Sequence, residues 1–425
     1  MTAGRQSGAI PWTIWTLGAS FYCYGFFQRV APSVIVDELM RDFAASAAIL
    51  GNLSAFYFYA YASLQIPVGV MVDRWGPRRV LSVAVVLCGI GSALFATADG
   101  LLTAYAGRAL IGGGAGFAFV GTLKLASVWF PPHRFALLSG LTIMLGMAGA
   151  VGGQGPLAAL VATLGWRQTL TVASVFAMLL AAAIWLIVRD RPAAEAERPE
   201  PPSGSLLRGL LGVLGNPQSW FVSVFGGCMS GPMLAFGALW GVPYMVQAHG
   251  LERPAAAASV SLMMVGWGIG APLSGWFSDR IGRRKVPMLL GAGGALASIG
   301  AVIYLLGLPL PAVQALLLVN GIFSGTMILS FATAREHNAP EAAGAALGFA
   351  NMASMAAGAL FQPAIGWILD LQWDGRMVDG ARLYSTGAYQ IAFLTLLACG
   401  VGALMVTLLS RETHCRPSWV APPTS

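Results

Sequence analysis

Apolar residues run along the chain in blocks near twenty long, with polar residues gathered in the short stretches between. Blocks of that length suit helices crossing a hydrocarbon core of about 30 Å. They are apolar on every face, whereas transmembrane strands alternate apolar and polar positions over about ten residues. A helix also satisfies its own backbone where no water reaches. The pattern predicts twelve membrane-spanning helices, at roughly 11–31, 46–71, 80–98, 101–123, 135–160, 168–188, 219–243, 256–277, 286–306, 310–332, 342–369 and 388–409. Glycines interrupt the fourth and tenth and blur their ends.

Composition agrees. The 425 residues are 57% hydrophobic and 10% charged, with a mean hydropathy of +0.72. Soluble domains carry about 25% charged residues, and one this poor in charge would expose more apolar surface than water tolerates. The N-terminal "MTAGRQSGAIPW" has no small-residue cleavage site after a short apolar core, so the first helix is expected to be retained. Five scattered cysteines indicate neither a disulfide frame nor a metal cluster, and no cofactor is expected.

Between the sixth and seventh spans lies "RDRPAAEAERPEPPSGSLLRGLLGVLGNP", too rich in Pro, Glu and Arg to enter a membrane. "LLRGLLGVL" within it suits a short amphipathic surface helix. The expected organisation is an N-terminal six-helix unit (1–190), a linker (191–216), a second six-helix unit (217–411) and a tail (412–425).

The net charge of +7 changes meaning once it is placed. With both termini cytoplasmic, sixteen Lys and Arg fall on cytoplasmic segments, five outside and three within spans. That bias fixes the expected orientation in a cytoplasmic membrane and removes nucleic acid as the partner.

"GVMVDRWGPRR" (Gly69–Arg79) and "GWFSDRIGRRK" (Gly275–Lys285) both read G-x-x-x-D-R-x-G-x-R-[RK], each between the second and third helices of its unit. This duplicated motif, the six-plus-six layout and "RALIGGGAG" on the fourth span resemble the major facilitator superfamily over essentially the whole chain. The resemblance implies an all-α fold of two pseudo-symmetric six-helix bundles that rock about a central pocket, carrying a small solute as a monomer. It also implies that Gly69, Asp73, Arg74, Gly76, Arg78, Arg79, Gly275, Asp279, Arg280, Gly282, Arg283 and Arg284 form a gate. Read from their residues, Gly69, Gly76, Gly275 and Gly282 allow close helix contact and tight turns, while Asp73 and Asp279 can pair with arginines or a helix N-terminus. Simple enforcement of topology would account for the basic residues as well.

Charge within a span costs roughly 2.5–3.5 kcal/mol on insertion scales, so each instance calls for a role or a partner. Arg29 shares a helix face with Tyr22 and Phe26, and faces a cavity or snorkels to the interface. Arg108 opens the span-four glycine ladder, where the resemblance links the arginine to proton transfer. Lys124 either snorkels or adds a second cation. All seventeen acids can be placed in loops or at helix ends, so a bound anion or carboxylate, amino acids and peptides included, is the expected solute. The same shortage leaves a coupling proton or counter-anion without an obvious carrier.

Tyr57 and Tyr61 share a face of span two. Met229, Met233, Phe236 and Trp240 line span seven, Asn320, Ser324, Met327 and Phe331 span ten, and Asn351, Met355, Gly358 and Gln362 span eleven. By the resemblance these faces reach the cavity, and Tyr22, Arg29, Tyr57, Tyr61, Arg108, Lys124, Trp240, Asn320, Asn351 and Gln362 are candidate solute contacts. Ordinary helix packing explains such stripes equally. No G-x-x-x-x-G-K-[ST] loop occurs, and none of His133, His249, His337 and His414 sits in a span core, so neither ATP-driven transport nor an enzyme is expected. A multidrug- or siderophore-type exporter and a non-transporting membrane sensor on the same fold stay open.

Overall fold

The computed structural model describes residues 9–131, 134–190 and 206–417. Arg5, His133, residues 191–205 of the expected linker and the tail from 418 onward lie outside the described residues. Twelve long helices are present among the described residues: α1 (Ala9–Val30), α2 (Ala47–Trp75), α3 (Pro77–Ala96), α4 (Leu101–Trp129), α5 (Leu137–Leu164), α6 (Trp166–Ile187), α7 (Pro217–His249), α8 (Arg253–Ile281), α9 (Lys285–Tyr304), α10 (Leu310–Glu336), α11 (Ala343–Leu371) and α12 (Thr386–Leu409). Eleven are long and apolar enough to cross a membrane on that ground alone, and α1, 22 residues long, packs along α5 and the second half of α4. Several outrun the predicted spans, because their polar ends continue past the hydrocarbon and an apolar window stops short of them.

Local chemistry sets the ends. Ser46, Asn216 and Ser385 cap α2, α7 and α12 with side-chain oxygens, and Pro77 and Pro217 open α3 and α7. Leu206–Leu214 forms a short helix, as expected, and Val213 on it is buried among Ala342, Ala345 and Ala346 of the second unit.

Within each unit the packing repeats. α2 lies on α4, and α3 on α4 and α6; α8 lies on α10, and α9 on α10 and α12. The units meet along two seams, α2 against α11 and α8 against α5. Exchanging the units carries one seam into the other, as two-fold related repeats require.

Each seam is tight at one end and parted at the other. At the end away from the motif, a Cβ on Gly51 would strike the backbone at Gln362, and one on Gly366 the backbone at Ala47. At the motif end, helical spacing puts Gly69 on the face of α2 that carries Gln65, and Gly344 on the face of α11 that carries Gly348. It likewise puts Gly275 on the face of α8 that carries Gly268, and Gly140 on the face of α5 that carries Met147. None of Gly69, Gly140, Gly275 and Gly344 has a neighbour within 4 Å of where a Cβ would sit. The close helix contact expected at Gly69 and Gly275 is therefore absent here, because the helices have drawn apart.

Candidate functional site

Where the last turns of α1 meet the middle of α2, candidate residues converge. Arg29 is 3% exposed, and its guanidinium carbon lies 4.1 Å from the ring centroid of Phe26, 5.3 Å from Tyr61 and 5.5 Å from Tyr57. Its Nε donates to the Tyr57 hydroxyl at 3.4 Å, and that hydroxyl donates to Gly25 O. Among the described residues the two terminal nitrogens of Arg29 have no hydrogen-bond or ion-pair partner. Tyr22 stacks edge-on with Phe26, while Leu234 and Met355 of the second unit pack into the same cluster. A desolvated cation over aromatic faces gains about 2 kcal/mol, which holds the arginine in place without a carboxylate.

Arg108 stands on the other side of the aromatic wall. It is fully buried, its Nη1 donates to Gln28 O at 2.8 Å and its Nη2 to Ser54 O at 3.4 Å. Its guanidinium lies 5.2 Å from the Tyr57 centroid, so one phenol ring touches both arginines. Arg108 is thus bound into α1, α2 and α4 rather than lining the pocket.

Other candidates lie elsewhere. Lys124 Nζ is ion-paired with Asp73 at 2.7 Å, so it belongs to the motif cluster and adds no free cation to the pocket. Asn320 donates to Ala295 O and Ser298 Oγ on the outer helix α9, a helix–helix bond that turns it away from the centre. Trp240 is fully buried and donates to Gln362 O, so both sit in the packed end of the second unit. Asn351 does reach across the seam, donating to Gln65 Oε1.

Trp240 closes a π-helical stretch, Met233–Trp240, inside α7. Two carbonyls of this widened segment accept from glutamines: Leu234 O from Gln362 of the same unit, and Gly237 O from Gln154 of the other. Single π turns inside α-helices are frequent at functional sites.

Far from the motif the units are tied by charge. Arg253 at the start of α8 reaches Asp37 and Glu38 of the opposite unit. Asp370 at the end of α11 accepts from the first two amides of α2, Ala47 N at 3.1 Å and Ala48 N at 2.8 Å. Tyr384 Oη and Arg382 donate to the same carboxylate. Burial and that carboxylate hold the Tyr384 phenol well above its usual range, so it remains a donor.

At the motif end each cluster is tied within its own unit. Gly76 has φ +79° and Gly282 φ +64°, the left-handed turns expected of them. Asp279 pairs with Arg284 at 2.8 Å, and Arg284 with Glu336 at 2.7 Å, the last pair buried. Arg78 lies over the Trp185 ring and donates from Nε to Trp185 O, and Arg280 approaches Trp276. Arg74, Arg79 and Arg283 are exposed.

Three acids here escaped the sequence reading. Asp190, directly after α6, accepts from Arg78 N at 2.7 Å; Glu412, after α12, accepts from Arg284 N at 2.8 Å and Lys285 N at 3.0 Å. Each caps the third helix of its unit from the sixth. The signal was available: "RD" at 189–190 and "RE" at 411–412 recur at the same place in both repeats. Burial raises the Glu412 carboxyl, but the amides of Arg284, Lys285, His414 and Thr413 outweigh it and bring the group below its ordinary range. Glu336 is the third acid, and Thr413 donates to it at 2.6 Å, so the start of the expected tail docks on the second cluster.

The sequence model of the Major Facilitator Superfamily matches residues 16–363. The chain is 26% identical to the membrane sensor protein UhpC of Salmonella typhimurium, over 95% of this chain and 92% of that one. It is 23% identical to the probable sulfoacetate transporter SauU of Cupriavidus necator, over 65% of this chain and 66% of that one. In structure it is similar to a bacterial homolog of the human lysosomal transporter Spinster in an inward-facing, unoccupied conformation. There the TM-score is 0.74 at 16% identity, covering 99% of this chain and 100% of that one.

Proposed function

Because the chain belongs to the major facilitator superfamily, as a multi-pass membrane transporter and not an enzyme, we propose that it carries a small organic anion by alternating access. The observation behind this is Arg29: a buried guanidinium on α1 whose terminal nitrogens have no partner among the described residues. A cation left so in a low-dielectric interior is matched by an anion that arrives with the solute. A bidentate carboxylate or sulfonate suits its planar fork. The name of SauU, a probable sulfoacetate transporter, supports an organic anion, although sulfoacetate itself carries two charges.

The parted motif end, set against the tied opposite end, corresponds to the cytoplasm-facing arrangement once the positive-inside bias orients the chain in an inner membrane. The gating motif then shuts the open end in the alternate arrangement. The protein works as a monomer, either facilitatively or coupled to a proton or a counter-anion. Similarity to UhpC over 95% of the chain favours a second reading, a sensor that binds the same class of anion without moving it.

The deciding experiment is uptake and counterflow of radiolabelled carboxylates and sulfonates in proteoliposomes, beside binding to purified protein. Saturable flux that Arg29→Gln abolishes supports transport of an anion. Binding without flux selects the sensor, and flux of lipophilic cations alone overturns the anion reading in favour of a multidrug-type exporter.

A further inference from the structure

Resting on the reading that Arg29 receives an anion, we propose that the pocket selects for a single negative charge carried on a compact body with few hydroxyls. The argument is a charge inventory of the spans. Among the described residues their three basic side chains have different fates, and Arg29 alone keeps both terminal nitrogens without a partner, while on Arg108 only Nε is left so.

Lys124 is neutralised by Asp73 at 2.7 Å. Arg108 is fully buried, both its Nη atoms are taken by backbone carbonyls, and the Tyr57 ring stands between it and the pocket. Arg29 remains, with two terminal donors open. A first carboxylate or sulfonate meets both. A second anionic group would have to shed its water with no counter-charge in reach, because Arg108 becomes available only if Tyr57 leaves the wall.

The surroundings restrict the rest of the solute. Phe26 and Tyr61 present ring faces beside the guanidinium, and Leu234 and Met355 close the cluster from the opposite unit. The hydroxyls of Tyr22, Tyr57 and Tyr61 and the Gln65–Asn351 pair are the nearby polar groups; the Tyr57 hydroxyl is already engaged with Arg29 and Gly25 O, and the amide pair is bonded to itself. A solute rich in hydroxyls would lose more hydrogen bonds to water than these groups return. One with an apolar or flat body keeps its gain from burial.

The test is a thermal-shift and competition panel on the purified full chain at neutral pH. It pairs the monoanions benzoate and propionate with their neutral amides and with the dianions succinate and tartrate. The expected result is that the monoanions bind at least tenfold more tightly than the dianions, that the amides have no effect, and that Arg29→Gln removes the response. Dianions binding as tightly as the monoanions overturn the single-charge inference while leaving the anion reading intact. Amides acting as well as the acids, or no response to any monoanion, overturn both.

Discussion

Asp370 Oδ2 accepts the backbone N–H of Ala48 at 2.8 Å, so a carboxylate at the end of α11 caps the first turn of α2 in the opposite unit. The opening amides of a helix have no partner in the helix itself, and an anion placed there also meets the positive end of the dipole. If the units rock as proposed, the opposite tilt breaks this contact.

Asp370→Ala is therefore expected to lower thermal stability by about 1–2 kcal/mol, the usual scale for a lost N-cap. It should also raise maleimide labelling of a cysteine introduced at Ala47, buried beneath this cap, in a background without the five native cysteines. Unchanged labelling would show that the cap does not hold this end shut.

Lys124 and Asp73 form an ion pair whose side chains are 29% and 56% exposed. Exposed pairs contribute about 0–1 kcal/mol, so Asp73→Asn should leave the melting temperature nearly unchanged. Flux should nevertheless fall if the motif gates the proposed alternating-access cycle. Wild-type turnover in the variant would remove Asp73 from the gate.

Arg284 and Glu336 behave differently, each side chain being 9% exposed. Removing Glu336 leaves the Arg284 side chain only its contacts with the exposed Asp279 and with Ser278, so Glu336→Gln is expected to destabilise by about 1–3 kcal/mol, whereas the Arg284→Met/Glu336→Met double variant recovers much of the loss. Chemical denaturation in detergent measures both, and equal stability in all three proteins would contradict the buried pair.

The pH dependence follows from Glu412. Its folded-state pKa lies below its ordinary value of 4.5, so the stability it contributes is present above that value and disappears as pH falls through the lower one. The melting temperatures of wild type and Glu412→Gln should differ at pH 7 and converge as the pH drops below about 4.5. A gap that persists at lower pH would assign the effect to packing instead.

The twelve helices and the doubled motif were legible because each is written in composition or in a short repeat that the bilayer itself imposes. Arg29 and its aromatic companions were legible too, since i, i+4, i+7 spacing fixes a face wherever the helix is regular. Trp240 was misplaced because Met233–Trp240 is π-helical, and a wider turn rotates everything beyond it off the α-helical wheel. Asn320 was misplaced for another reason. Spacing shows which residues share a face but not whether that face meets the centre or an outer helix, and here it meets α9. Lys124 and Asp73 lie on different helices, α4 and α2, so their pairing is purely tertiary.

Gly69, Gly140, Gly275 and Gly344 have nothing to touch in this arrangement, and there lies their consequence. A methyl group at any of them is invisible to the form seen here, yet it would stand as a doorstop in the form where the backbones meet. Such substitutions act on the balance between two shapes while leaving the shape itself alone, and a ligand can overcome that bias only by its own preference between them. Alanine at these four sites would therefore make a jammed carrier that folds normally, one well suited to trapping whatever it binds.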